Sequence, residues 1–252
     1  MPDVTADGLR FHVQTLGDPS APPVVMVHGM VTGSMASWYF GLAPVLARHH
    51  HVFLYDQRGH GRSERPASGY RLDRLAADLA VLTEDLGPSA VVGHSYGGVV
   101  ALRHAVDHPD RVRSVVLVDS FVPSGAPAPE VGGWAPVPGA AAPAAVRARR
   151  RRPNAEEALL GTTLLADLRR TPGPDAADLA GLRMPVLCAV GADSPFREEV
   201  EALADLLPAD RCRVRVLPGG HALHVDSPGP LADLVSGFLA EVGEPVGGTR
   251  RA

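Results

Sequence analysis

The sequence predicts an α/β fold: a mostly parallel, doubly wound sheet of about eight strands. Three observations predict it. The runs Val24-Val25-Met26-Val27, Val52-Phe53-Leu54, Ala90-Val91-Val92 and Val115-Val116-Leu117-Val118 are continuously apolar, the pattern of strands covered on both faces. Stretches with helical spacing separate them in regular order, which implies parallel β/α units with right-handed crossovers. Asn or Asp turns of the hairpin type are missing between them. A chain of 252 residues holds one such domain and a small insertion.

Residues 8–16 alternate weakly and reach Gly17-Asp18-Pro19-Ser20, which suggests a short opening hairpin. A strand over 23–27 runs into His28-Gly29-Met30. A helix over 37–48 follows, then a strand over 51–55 that closes on Asp56-Gln57-Arg58-Gly59-His60-Gly61-Arg62-Ser63. The helix over 72–86 places Leu75, Leu79 and Leu82 on one face. After a strand over 90–92, a tight turn and a helix from 98 to near Pro109, the strand over 112–118 ends on Asp119-Ser120.

The regular order then breaks. Residues 121–183 are rich in alanine, proline and glycine, with helical stretches near 144–152 and 155–170. This is read as a small helical cap inserted after the sixth strand, because Leu159, Leu160, Leu164, Leu165 and Leu168 can bury a face. Residues 131–143 are expected to be mobile. A strand over 186–190, a helix over 196–207, a strand over 212–217 and a helix over 231–241 complete the sheet domain, and 244–252 read as a disordered tail. The expected organisation is core over 1–120, cap over 121–183 and core again over 184–243.

Net charge is −4, so nothing points to nucleic acid or an anionic membrane as a partner. Every basic residue is arginine, which with the abundant alanine, glycine and proline reads as a GC-rich coding bias. That composition is compatible with a role in secondary metabolism. Cys188 and Cys212 fall in predicted strands without metal-ligand spacing and read as reduced core residues. Residues 1–17 lack the basic start and apolar run of a signal peptide, and no apolar segment is long enough to span a membrane, so a cytoplasmic protein is expected.

The chemistry gathers at Gly93-His94-Ser95-Tyr96-Gly97, a G-x-S-x-G with an apolar strand before it and a helix after it. In that context it is a nucleophile elbow: the turn holds the serine in strained geometry, and the glycines allow close approach. Together with His28-Gly29-Met30 and Trp38 downstream, the Asp56–Ser63 segment and Gly220-His221, in this order and spacing, the chain resembles the α/β-hydrolase superfamily over nearly its whole length.

A serine hydroxyl needs a base and a group that orients the base. Ser95 is the expected nucleophile. Among eleven histidines His221 is best placed as base, on a Gly-Gly turn just past a strand, with His224 as competitor. The acid is open between Asp119 and Asp193. By resemblance it follows the seventh strand in a Gly-x-x-Asp turn, but here that turn reads Gly191-Ala192-Asp193-Ser194-Pro195, with Ser194 in the expected place. Ser194 and Pro195 also read as a helix start, with serine as N-cap. Asp119 ends an apolar strand one strand over from the elbow, where other superfamily members carry the acid. The order Ser, Asp, His fits both.

The N–H of Tyr96 and, by resemblance, that of Met30 are the expected oxyanion donors. His28, Gly29, Trp38, His94, Phe121 and Trp134 are the expected pocket lining. The run His49-His50-His51 cannot converge on one ion and reads as surface, so no metal is expected, and no organic cofactor. By resemblance, Asp56, Arg58 and His60 form a structural turn. Arg147, Arg149, Arg150, Arg151 and Arg152 read as a solvated helix face, or as a receptor for an acidic partner such as a carrier protein with its phosphopantetheine arm.

The resemblance implies a serine hydrolase that cleaves an ester, thioester or lactone of a small acyl substrate through an acyl-enzyme. Dehalogenase and epoxide hydrolase relatives carry aspartate at the elbow, where this chain has serine. Carbon–carbon bond hydrolysis, lyase or cyclase chemistry, and ligand binding without catalysis are the alternatives.

Overall fold

The computed structural model describes residues 3–122 and 159–243. Among the described residues, eight strands form one sheet in the order β1-β2-β4-β3-β5-β6-β7-β8. Here β1 is Asp3–Ala6, β2 Leu9–Leu16, β3 Pro23–Val27, β4 His51–Tyr55, β5 Ser89–His94, β6 Val112–Val118, β7 Val186–Gly191 and β8 Cys212–Leu217. The hairpin β1–β2 is antiparallel and joins β4 antiparallel, and every pairing from β4 to β8 is parallel.

The inner strands are almost wholly apolar because both faces are covered. Along β3 and β6 successive residues alternate between two cores: Val25, Val27, Val115 and Leu117 in one, Val24, Met26, Val116 and Val118 in the other. Helices α3 (Leu72–Leu82) and α4 (Tyr96–Asp107) cover the first face. Helices α1 (Ala36–Tyr39) and α2 (Leu42–Leu46) and the last helix cover the second. Strand β8 lies at the edge, and its Arg213 and Arg215 are exposed, which discourages pairing with another chain.

Helix boundaries differ from the sequence expectation where local chemistry interrupts periodicity. The helix expected over 37–48 is broken at Gly41, whose φ −126° and ψ −94° are not helical. The helix expected over 155–170 is interrupted at Gly161, Thr162 and Thr163, which separate helical residues 159–160 from α5 (Leu164–Arg170). There the Thr162 hydroxyl donates to Leu159 O at 2.6 Å, a local bond that competes with helix. Helix α6 (Ala176–Ala180) follows, then α7 (Arg197–Leu206), α8 (Leu223–Asp226) and α9 (Pro228–Gly243). Proline in the first turn of α9 lets it start earlier than residue 231.

Of the segment expected as a cap, 159–183 is described. Leu159, Leu164 and Leu179 are buried in the core and Leu168 packs against it, whereas Leu160 is exposed. Asp167 Oδ2 accepts from Tyr70 N at 2.9 Å, which ties α5 to the connection after β4. The helical stretch near 144–152 with its arginines, the 131–143 portion and the 244–252 tail lie outside the described residues.

No helix among the described residues is long and apolar enough to cross a membrane. Cys188 is buried in β7, and the half-buried Cys212 opens β8 with its Sγ 3.9 Å away.

Candidate active site

Parallel strands deliver their C-terminal turns to one edge of the sheet, and Ser95 sits in the turn after β5. Its φ of 52° and ψ of −128° are rarely adopted by an L-residue. Of the four non-glycine residues with positive φ among those described, Val31, Ser95 and Asp119 all lie in turns at this edge, and the fourth, Asp7, is in the β1–β2 turn. The elbow closes because its glycines have no side chain. A Cβ on Gly97 would lie 2.5 Å from both Val27 O and His28 O, and one on Gly93 would lie 2.5 Å from Gly97 O.

Ser95 Oγ is 3.0 Å from Nε2 of His221, and Nδ1 of His221 is 2.7 Å from Oδ2 of Asp119. Asp119 is fully buried and can only accept in its ionised form, so Nδ1 carries the proton and Nε2 is left to accept from the serine. The Asp119 carboxylate has further partners. Gly191 N donates to Oδ1 at 2.9 Å, and the Ser194 hydroxyl donates to Oδ2 at 2.6 Å. Asp193, by contrast, is exposed, and its main-chain N–H bonds Gly219 O at 2.9 Å.

The turn that carries His221 is anchored from two sides. Gly220 N donates to Asp226 Oδ2 at 2.8 Å, and His94 Nε2 donates to the His221 carbonyl at 2.9 Å. The His94 ring lies between the rings of Trp38, His221 and His224, at centroid distances of 6.2, 4.8 and 4.7 Å. Burial pushes the His94 imidazole down to about 3, helped by the neighbouring histidines, so it is neutral. His224 is half-buried against Trp38 and His94, and burial lowers its pKa as well.

On the other side of Ser95, Met30 is buried in the turn after β3, and Tyr96 supplies the first N–H of α4, a position without an intrahelical acceptor. Gly29 lies directly against Ser95, since a Cβ there would sit 3.4 Å from Ser95 Cβ. This turn is fixed by the turn after β4. His28 Nε2 accepts from Gln57 N at 3.0 Å while its Nδ1 donates to Gly29 O at 2.7 Å. His60 Nε2 accepts from Val31 N at 3.0 Å while its Nδ1 donates to Arg58 O at 2.9 Å. Both rings must be neutral to accept, and burial lowers His28 to about 4 and His60 to about 3. Asp56 accepts from Met35 N and Arg62 N, and the buried Arg58 guanidinium binds both oxygens of Asp78.

Of the six expected pocket residues, His28 and Trp38 are fully buried and His94 and Gly29 lie beside Ser95. Phe121 is half-buried and stacks on Phe196 at 4.6 Å, and Phe196 meets the His221 ring edge to face at 4.8 Å. Trp134 lies outside the described residues. Sequence reasoning missed the contact of Phe196 with His221 and the bond from Ser194 to Asp119. The helix expected to start at Ser194-Pro195 begins only at Arg197, while the Ser194 hydroxyl accepts from Phe196 N, two residues on, at 3.1 Å. The signal for Ser194 was present in the Gly-x-x-Asp comparison, where a serine replaces a carboxylate.

Sequence comparison matches residues 22–172 to the alpha/beta hydrolase fold family. The chain is 38% identical over 122 residues to a non-heme chloroperoxidase of Streptomyces lividans, covering 47% of this chain and 44% of that protein. It is 37% identical over 119 residues to epoxide hydrolase A of Mycobacterium tuberculosis, covering 46% and 37%. The matches thus span less than half the length of these curated relatives. Among solved structures, Est816, described as an N-acyl homoserine lactone degrading enzyme, superposes with a TM-score of 0.74 at 25% identity over 94% of this chain and 100% of that one. A thermophilic esterase from Thermogutta terrifontis shares the fold at 22% identity, with a TM-score of 0.76 over 96% and 97% of the two chains.

Proposed function

The chain belongs to the alpha/beta hydrolase fold family, and from that premise we propose that it is a serine hydrolase that cleaves a carboxylic ester, thioester or lactone through an acyl-enzyme. The observation that carries the reading is the continuous hydrogen-bonded line from Ser95 Oγ through His221 to the buried Asp119. A neutral imidazole held in one tautomer by a buried carboxylate is the arrangement that makes a serine hydroxyl nucleophilic. We assign Ser95 as nucleophile, His221 as general base and then acid, and Asp119 as the residue that orients it.

In the acylation step the Ser95 oxygen bonds the substrate carbonyl carbon as its proton passes to His221 Nε2. The carbonyl oxygen becomes an oxyanion, which the N–H groups of Met30 and Tyr96 are assigned to hold. When the intermediate collapses, the bond to the leaving oxygen or sulfur breaks and His221 returns the proton to it. Water then repeats the sequence: its proton goes to His221, its oxygen to the acyl carbon, and Ser95 leaves reprotonated. Asp119 stays ionised throughout and stabilises the imidazolium in each half. A serine at position 95 favours this route over the attack of a carboxylate nucleophile on an epoxide. The likeness to Est816 supports lactones among the candidate substrates, since a lactone is an internal ester.

A fluorophosphonate probe tests the reading. It should label the native chain and not Ser95→Ala, and p-nitrophenyl esters of increasing chain length beside a lactone and an acyl-carrier thioester should then rank the substrates. A folded native chain that resists the probe and leaves every ester intact would sink the proposal.

A further inference from the structure

We propose that Ser194 is a positioning residue that acts on His221 through Asp119, an inference that rests on the hydrolase reading above. The direction of its hydroxyl is fixed by its surroundings. Ser194 Oγ accepts the main-chain N–H of Phe196 at 3.1 Å, so its single hydrogen is directed to Asp119 Oδ2 at 2.6 Å. That length is typical of a hydroxyl bound to an ionised carboxylate. The same oxygen receives the Nδ1 proton of His221 at 2.7 Å, so one carboxylate oxygen carries both bonds.

The acid is therefore seated almost entirely by the neighbouring strand. Asp119 N donates to Ala189 O at 2.7 Å, Oδ1 accepts from Gly191 N, and Oδ2 accepts from Ser194, all in or just after β7. Asp119 itself has a φ of 46°, in the left-handed region that few residues other than glycine, asparagine and aspartate adopt. Two donors from one turn lock the carboxylate plane, and a locked plane aims Oδ2 at His221. The hydroxyl also draws charge from Oδ2. Without it the carboxylate would stabilise the imidazolium more strongly and orient the imidazole less well.

A role confined to packing the turn would leave the titration of His221 unmoved, and this separates the two possibilities. The experiment follows the His221 ring by NMR titration in isotope-labelled protein, beside kcat and KM for p-nitrophenyl acetate across pH. Ser194→Ala should raise the His221 midpoint by about half a pH unit or more and move the acidic limb of kcat/KM with it. It should lower kcat about tenfold and leave KM within about twofold. Ser194→Thr, which keeps the hydroxyl, should restore most of both.

If the alanine variant does not fold, Ser194→Cys keeps a weak donor at similar size and should show a smaller shift of the same sign. A midpoint within about 0.1 unit of native, with kcat within about twofold in the Ala or Cys variant, overturns the proposal while leaving the hydrolase reading in place. A titration shift in a chain that turns over no ester overturns the hydrolase reading instead and leaves the coupling of Ser194 to His221 standing.

Discussion

The two flanks of Ser95 hold their parts by opposite means. After β3 and β4, side chains hold the backbone: His28 accepts from Gln57 N, His60 from Val31 N, and Asp56 from Met35 N and Arg62 N. After β6 and β7, backbone and a hydroxyl hold a side chain: Gly191 N and Ser194 Oγ fix the Asp119 carboxylate. The contrast follows what each flank is proposed to deliver, main-chain donors on one side and a single buried charge on the other. Load on the first flank is shared among several bonds. On the second it converges on one carboxylate, so damage there should be abrupt.

Asp119→Asn should therefore produce the largest effect. The asparagine amide can turn its NH2 toward His221 Nδ1, which then accepts, and Nε2 becomes protonated and useless as a base. Loss of kcat by about 10⁴-fold with unchanged thermal stability is the expected result in steady-state assays beside a melting curve. A loss below tenfold would place the orienting charge elsewhere and end the asymmetry between the flanks.

His60→Ala tests the shared load. Val31 has a φ of 69°, an unfavourable conformation for a β-branched residue, and its N–H is held by His60 Nε2. With that acceptor gone the turn carrying Met30 should relax, and kcat should fall about ten- to a hundredfold, less than at Asp119, because His28 and Asp56 still brace the neighbouring backbone. Restoration of an acceptor in His60→Gln should recover part of the loss. Activity equal to native in the alanine variant would show that the β4 turn does not govern the proposed oxyanion donors.

The flanks should also separate by pH. Burial holds His28 at about 4 and His60 and His94 at about 3, below the ordinary 6.5. Between those values the unfolded chain binds protons that the folded chain refuses. Stability from these groups is thus complete above pH 6.5, declines as pH falls, and is gone once pH passes through about 3 to 4. Each histidine contributes a slope of about 1.4 kcal/mol per pH unit in that window. Urea midpoints at pH 7, 6 and 5 should fall steeply in native protein and less steeply in His60→Gln, and equal slopes would mean that His60 does not stay neutral in the fold.

Much of this arrangement is legible in the residues. The continuous apolar runs become the inner strands because both faces are covered, and Gly93 and Gly97 let the elbow close around Ser95 because a Cβ at either would meet backbone. His221 is legible from its glycine turn. Helix breaks are less so: Gly41 and Thr162 end helices through local backbone geometry and a local hydrogen bond, which periodicity does not register. Chain order leaves Asp119 and Asp193 equivalent, because the choice depends on which carboxylate meets His221, a contact across the sheet that chain order does not encode. The bond from Ser194 is hidden for the same reason: a serine before proline looks like a local cap until the neighbouring strand brings a carboxylate to its hydroxyl.

The smallest expected effect is at the residue nearest to that ambiguity. Asp193 stands in the same turn as Ser194, yet its side chain is exposed where that of Ser194 is buried. Its contribution to the turn runs through the main chain, from its N–H to Gly219 O, and asparagine keeps that bond. Asp193→Asn removes one surface charge at a distance that solvent screens, so kcat and KM should each stay within about twofold of native. Measured beside Asp119→Asn under the same conditions, the pair isolates burial and orientation from mere presence of a carboxylate in the right turn. A large loss in Asp193→Asn would require the β7 turn to reorganise when substrate binds, bringing its exposed carboxylate inward, and would transfer the orienting role from the strand with the buried acid to the one that seats it.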